Sequence, residues 1–329
     1  MKIYNSIEAL SLELSPQFNP TISIGNFDGA HLGHHALFAK AKSLSKQQKT
    51  AWGVLTFAPH PRDFFKGTPS EKLFSPSQKI RGFQELGADF LCIQPFDSEF
   101  ANLTPEEFCG FFKTDHGVVN SIVVGHNFRF GKNRQGSPDE IKKITKGDVK
   151  VEILNSVSDE QTVVSTSYIK SIINNDGNVG LAAKLLGRPY CLWGVVHQGK
   201  QLGRTIGVPT ANVTGVHQLI PKPGVYAGYA VFQNEDYPEL LTIPKVHHQV
   251  VVNIGQNPTV AADEHLKIEA HILKNPPSES LYGKTGAVYL LHRLRDEMKF
   301  ESLEKLKVQI TQDIGDAEKL LKDSRSNTY

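Results

Sequence analysis

Thr21-Ile22-Ser23-Ile24-Gly25-Asn26-Phe27-Asp28-Gly29-Ala30-His31-Leu32-Gly33-His34 decides how the first half of this chain folds. A short β-branched run ends at a Gly-Asn turn, and residues 34–46, rich in Ala, Leu and Lys, read as a helix. The same alternation continues downstream. Residues 52–57 (WGVLTF), 90–93, 121–124 and 151–154 read as strands. Residues 77–85 and 105–112 read as helices, the second capped by Thr104. Strands separated by helices imply parallel pairing and an α/β sheet. Ligands of such sheets bind where strands end and loops begin, which is where this stretch lies.

Its residue types suit an anion. Glycines let backbone N–H groups come close to a ligand, and a helix N-terminus adds partial positive charge. His31 and His34 are three apart, so a helix starting near His31 turns both to one side. Two imidazoles there can donate hydrogen bonds to phosphate oxygens and to a departing pyrophosphate. A plain Gly-rich turn and a metal pair stay open as alternatives, although no Cys nearby completes a metal site.

Near residue 180 the pattern changes. Residues 179–186 read as a short helix ending at Gly187, with Pro189 beyond it. Then come short β-like runs at 192–196, 224–232, 248–255, 266–273 and 286–294, separated by Gly and Pro. That spacing predicts an antiparallel barrel or sandwich. Residues 302–321 have helical periodicity, with Leu303, Leu306, Ile310, Ile314 and Leu320 or Leu321 near one face. The expectation is a β-barrel closed by a C-terminal helix, with domains at 1–182 and 183–329.

The second half has its own Gly-rich segment, 199–212, whose glycines suit a loop arching over phosphates. Thr210 and Asn212 offer hard oxygen donors of the kind Mg²⁺ takes when shared with ATP phosphates, and a simple Gly-rich hairpin is the other reading. In the alternating run 266–273, Ile268, Ala270 and Ile272 share one face and Glu269 and His271 the other. A Glu at a barrel mouth can take the proton of a primary alcohol; alone it is more often an exposed strand carboxylate.

Composition bounds the function. A chain of 329 residues suits two domains. Lys plus Arg number 36 against 34 Asp plus Glu, so a net charge of +2 argues against nucleic-acid binding as the main task. The three cysteines form neither a disulfide framework nor a zinc site, and fit a reducing compartment. No secretory leader and no membrane span is read, so the expectation is a cytoplasmic protein.

Residues 25–34 resemble the G-x-F-D-x-x-H-x-G-H signature of the nucleotidylyltransferase superfamily. With Thr56-Phe57-Ala58-Pro59-His60-Pro61 and Val124-Gly125-His126-Asn127-Phe128-Arg129-Phe130-Gly131, they resemble the adenylyltransferase half of the prokaryotic bifunctional riboflavin kinase/FAD synthetase family. Residues 165–170 (STSYIK) match that family's S-S-T-x-I-R imperfectly; Lys170 in place of Arg keeps the charge and loses the bidentate fork. Residues 199–212 resemble the riboflavin kinase fingerprint G-x-x-x-G-R-x-x-G-x-P-T-A-N, with Val208 where Phe is commoner. Residues 222–226, 253–255 with Pro258 and Thr259, 281–284 and 294–297 follow in family order.

The resemblance implies a Rossmann-like nucleotidylyltransferase α/β domain followed by an antiparallel β-barrel riboflavin kinase domain closed by a helix. It implies that riboflavin is phosphorylated by ATP to FMN, and that FMN is adenylylated to FAD with loss of pyrophosphate. Gly25, Phe27, Asp28, His31, Gly33, His34, Ser165, Thr166 and Lys170 would then meet ATP in the adenylyltransferase, with His31 and His34 as catalytic groups. Phe57, Pro59, His60, Asn127 and Phe128 would shape its flavin pocket. In the kinase, Gly199, Gly203, Arg204, Gly207, Thr210 and Asn212 would meet ATP. Thr210 and Asn212 would ligate Mg²⁺, Glu269 would be the catalytic base, and Arg295 would lie near the flavin. Partners would be the small molecules riboflavin, FMN and ATP, on a monomer or weak homo-oligomer. The competing reading is a barrel that binds flavin without turning it over.

Overall fold

The structure is a computed structural model describing residues 1–159, 162–199, 207–234, 238–255, 266–274 and 276–323. The chain forms two compact units: Met1–Ser70 with Pro76–Ser165, and Glu71–Ser75 with Thr166–Tyr329. The helical stretch after Ser165 thus clusters with the second unit.

The first unit is built on a six-stranded parallel sheet. Its strands are β1 (Lys2–Tyr4), β2 (Thr21–Ile24), β3 (Trp52–Ala58), β4 (Phe90–Pro95), β5 (Ser121–Gly125) and β6 (Lys150–Leu154), in the order β1-β4-β3-β2-β5-β6. All of β2 and most of β3 and β5 are buried, as a sheet covered on both faces requires. Its helices are α1 (Ile7–Ser11), α2 (Leu32–Gln48), α3 (Pro61–Lys66), α4 (Pro76–Glu85), α5 (Ser98–Ala101), α6 (Pro105–Gly110) and α7 (Pro138–Ile144). The Thr104 cap is present and forms a full capping box with Glu107. The core joins Ile22, Ile24, Leu55, Phe90, Ile122 and Val124 to Phe108, Phe112 and Phe130.

From β2 the chain runs outward through β3 and β4, then returns to lay β5 on the other side of β2. Strand order therefore reverses beside β2, and open α/β sheets place their ligand crevice at such a point. The loops after β3 and β5 flank the loop that follows β2. A two-stranded ribbon, β7 (Ser158–Asp159) with β8 (Thr162–Val163), ends this unit.

The second unit opens with α8 (Thr166–Ser171), a π-turn (Ile172–Asp176) and α9 (Val179–Leu186). Asn178 caps α9, and Gly187 ends it at φ 72°, a left-handed conformation that costs Gly little. The choice between barrel and sandwich is resolved as a closed barrel in the order β10-β13-β12-β11-β14-β9. These strands are β9 (Tyr190–His197), β10 (Thr210–Thr214), β11 (Gly224–Gln233), β12 (His248–Gly255), β13 (Lys267–Ile272) and β14 (Thr285–Arg295), all antiparallel. The helix α10 (Leu303–Asp323) packs on β11, β12 and β14. Its burial concentrates at Asp313, Ala317 and Leu321, whereas Leu303, expected on the packed face, is 59% exposed. Among the described residues no helix is long and apolar enough to cross a membrane.

Candidate active sites

In the first unit, α2 starts one residue after His31, which is its N-cap. The preceding loop is held in sparsely populated backbone conformations: Phe27 has φ 49°, Gly29 82° and Ala30 43°. For Phe and Ala these are strained, and such strain persists where the surroundings over-determine the loop. Phe27 is one of those surroundings. Its ring is buried edge-on to Phe38 at 4.9 Å and Phe83 at 6.1 Å, and it meets His34 edge-on at 5.1 Å. Phe27 thus touches the histidine from the core side.

His31 and His34 stack at 3.6 Å between ring centroids, 19° apart in plane. Gly33 permits this fold-over, since a Cβ there would stand 3.1 Å from His31 Cε1. Burial lowers the His31 pKa to about 4, with the neighbouring His35 adding to the effect and Asp28 opposing it. Burial, then His31, His35 and Lys79, hold His34 well below the ordinary range. Both rings are therefore neutral at pH 7. Asn26 Oδ1, His31 Nδ1 and His34 Nδ1 are buried without a hydrogen-bond partner. Buried polar atoms normally have one, and the stacking of the two rings puts two such nitrogens in one place, suited to a polar ligand.

Ser165 is the last residue of this unit, and Val164 O lies 3.9 Å from where a Gly33 Cβ would be. Thr166 and Lys170 belong to the second unit, where Lys170 Nζ donates to Glu71 O at 2.7 Å. Ala58 and Pro59 are joined by a cis peptide, and the His60 ring caps α3 by accepting from Arg62 N at 3.1 Å. Phe57 and Phe128, distant in sequence, are linked by a chain of ring contacts through Phe100, Phe108 and Phe130. Phe96 touches Phe57 and Phe100 at the outer end of this chain, together with Phe64 and the 70% exposed Phe65. Sequence reasoning passed over Phe64, Phe65 and Phe96, because no local period singles out aromatics that gather from separate loops. Asn127 is exposed, with Oδ1 3.1 Å from a Cβ at Gly125.

In the second unit, β13 alternates as its sequence requires. Ile268, Ala270 and Ile272 point inward, and Glu269 and His271 lie half-buried on the outer face. Register puts Glu269 directly between Asn212 of β10 and Asn253 of β12, and Thr210 opposite His271. Cross-strand neighbours on one face have Cβ atoms about 5 Å apart, so Asn212, Glu269 and Asn253 form a contiguous polar row. The sequence placed Asn253 only in a segment that follows in family order; strand register shows that it stands beside Glu269. His271 Nδ1 pairs with Pro209 O at 2.8 Å, tying the strand to the turn that delivers Thr210.

Gly199 lies over Asn212 so closely that a Cβ would stand 2.7 Å from the amide Cγ. Thr210 and Asn212 share one face of β10, with Gly199 packed over the amide, and make a small cradle whose hydroxyl and amide oxygens are a donor set that fits Mg²⁺. Among the described residues no group of three or more His, Cys, Asp or Glu stands ready for another kind of metal site. Gly207 has φ 81°. Gly203 and Arg204, with Pro258 and Thr259, lie outside the described residues. Arg295 is engaged with α10: its Nε is 2.9 Å from Asp313 Oδ1 and its Nη2 2.8 Å from Oδ2.

A strained anion loop at the crevice of a parallel sheet, joined to a barrel with an Asn-Glu-Asn row beside a Gly-covered cradle, defines a two-domain protein with a separate polar site in each unit. Residues 15–168 match the FAD synthetase family and residues 186–321 the riboflavin kinase family. The chain belongs to the family of bifunctional riboflavin kinase/FMN adenylyltransferases. It is 33% identical over 320 residues to the protein of that name from Escherichia coli K12, covering 95% of this chain and 96% of the relative. It is 31% identical over 307 residues to the one from Bacillus subtilis, covering 92% of each. Its fold is similar to a crystal structure described as a macrolide-efflux protein from Streptococcus pneumoniae, with TM-score 0.78 and 28% identity over 92% of this chain and 95% of that one.

Proposed function

We propose that the barrel unit phosphorylates riboflavin to FMN and the α/β unit adenylylates FMN to FAD, each with ATP. Family membership over nearly the whole chain supports both activities. The reading rests chiefly on one observation: Glu269 stands between Asn212 and Asn253, beside the cradle formed by Thr210 and Gly199. A binding module without turnover would not need a carboxylate beside hard oxygen donors.

In the kinase, Glu269 accepts the proton of the terminal ribityl hydroxyl as that oxygen attacks the γ-phosphorus of ATP. Asn212 and Asn253 flank the carboxylate from the two neighbouring strands. Thr210 and Asn212 would hold Mg²⁺, which when bound offsets phosphate charge and orients the triphosphate. Gly199 and Gly207 flank the path of the phosphates, and the ATP assignment of Gly203 and Arg204 rests on the family fingerprint alone. Arg295 borders the flavin from its place beside Asp313.

In the adenylyltransferase, the FMN phosphate is already a competent nucleophile, so no general base is assigned. His31 and His34, neutral and with ring nitrogens unpartnered, hydrogen-bond the triphosphate in the loop formed by Gly25, Asp28 and Gly33, with Phe27 behind them. Ser165 completes the nucleotide site within this unit. Phe57, Pro59, His60, Asn127 and Phe128 take the isoalloxazine. Catalysis is then mainly positioning and charge stabilisation.

We place the functional boundary at 182/183, and the protein in the cytoplasm as a monomer or weak homo-oligomer. Its three cysteines are free and buried, in keeping with a reducing compartment. Incubation with riboflavin, ATP and Mg²⁺, followed by chromatographic separation of the flavins, tests both activities at once. FMN and FAD are the expected products; unchanged riboflavin would refute the kinase, and FMN without FAD the adenylyltransferase.

A further inference from the structure

The two motif histidines present a chemical problem. Stacked and neutral, they donate hydrogen bonds but bring no positive charge to a site that must hold a triphosphate and release pyrophosphate. Within the same unit a cation outside every recognised motif reaches this place. Lys79, on α4, points its Nζ at Thr56 Oγ1 across 2.7 Å. The Thr56 hydroxyl in turn donates to Asn26 O at 3.2 Å, inside the strained loop. Thr56 is fully buried at the end of β3, so the ammonium is anchored to a rigid strand rather than to a surface chain. Beside this chain of contacts stand the unpartnered Asn26 Oδ1, His31 Nδ1 and His34 Nδ1, with His31 only 6% exposed. The Lys79 charge is felt at His34, whose protonation it disfavours.

We propose that Lys79, held by Thr56, is the cation that meets the triphosphate of ATP in the adenylyltransferase unit and stabilises the departing pyrophosphate. This deepens the adenylyltransferase reading above and depends on it. In the step concerned, an oxygen of the FMN phosphate forms a bond to the α-phosphorus of ATP. The bond from that phosphorus to the bridging oxygen breaks, and its electron pair leaves with pyrophosphate. Lys79 keeps its proton throughout and acts only by its charge and N–H donors. Neutral histidines and a fixed ammonium divide the work: the rings shape the phosphate site, and the lysine offsets the charge that grows on the leaving oxygen.

The test uses the full-length protein with Lys79→Met, Lys79→Arg and Thr56→Val. FAD formation from supplied FMN and ATP is expected to fall about 10²-fold or more in kcat/KM for ATP in Lys79→Met, the size seen when one preorganised charge-stabilising donor is removed. The KM for FMN should stay near wild type. Pyrophosphate should become a weaker inhibitor, which loss of a merely structural contact would not produce. Lys79→Arg should recover part of the loss, because it restores charge at nearly the same reach. Thr56→Val should raise the KM for ATP by releasing the anchor. Riboflavin phosphorylation in the same preparations reports whether the chain is folded. If the unaltered protein makes no FAD, the adenylyltransferase reading falls. If it makes FAD and Lys79→Met matches it, or if pyrophosphate inhibits both equally, only the assignment of Lys79 is overturned. Equal loss in the Met and Arg variants with unchanged pyrophosphate inhibition would likewise overturn it.

Discussion

The proposed assignment gives Glu269 and His31 opposite halves of the chemistry, so their substitution should separate the activities. Glu269→Gln keeps the shape of the side chain and removes the proton acceptor. FMN formation should fall by 10²-fold or more, about what a positioned general base contributes, while FAD formation from supplied FMN persists. His31→Ala should do the reverse. Normal turnover of FMN and ATP in that variant would count against the histidine site. His31 also carries a pH signature. Its folded pKa of about 4 lies below the unfolded value of 6.5, so the unfolded chain binds the proton first. The stability tied to a neutral His31 is full above pH 6.5 and is lost as pH falls through 4, about 3 kcal/mol in all. Denaturant unfolding of His31→Asn and wild type at pH 7 and pH 4.5 checks the sign: wild type should lose more stability than the variant.

At the scale of elements, both sites depend on glycine at a close approach. Gly199→Ala would drive a methyl group into the Asn212 amide and displace the neighbour of Glu269. FMN formation should drop sharply with FAD formation intact, since the collision lies wholly within the barrel unit. Helix α10 is fastened by the paired bonds from Arg295 to the buried carboxylate of Asp313. Asp313→Ala should destabilise the barrel by about 2 kcal/mol, the usual worth of hydrogen bonds to a charged group, read as a lower denaturant midpoint. Alternation in β13 and the capping residues of α6 and α9 were legible because each follows a local rule of period or cap. Strand β10 was not. Its start lies inside the Gly-rich segment read as loop, and pairing with β13 and β9 rather than propensity makes Thr210–Thr214 a strand.

At the scale of the whole molecule, the chain carries two sites in two compact units. Mixing Glu269→Gln with His31→Ala should therefore restore conversion of riboflavin to FAD, the first variant using FMN released by the second. Failure of the mixture, with each variant retaining its single activity, would mean that FMN does not pass through solution.

The sequence by itself determined the α/β half, the β-rich half, and the position of the two Gly-rich segments. It did so because strand alternation, helix caps and glycine turns are properties of neighbouring residues. Only the tertiary structure decided that Asn253 joins Asn212 beside Glu269, that rings from separate loops gather around Phe57, and that Lys79 reaches the histidine loop through Thr56. Those meetings depend on strand order, register and packing between distant segments, and no local pattern along the chain carries them.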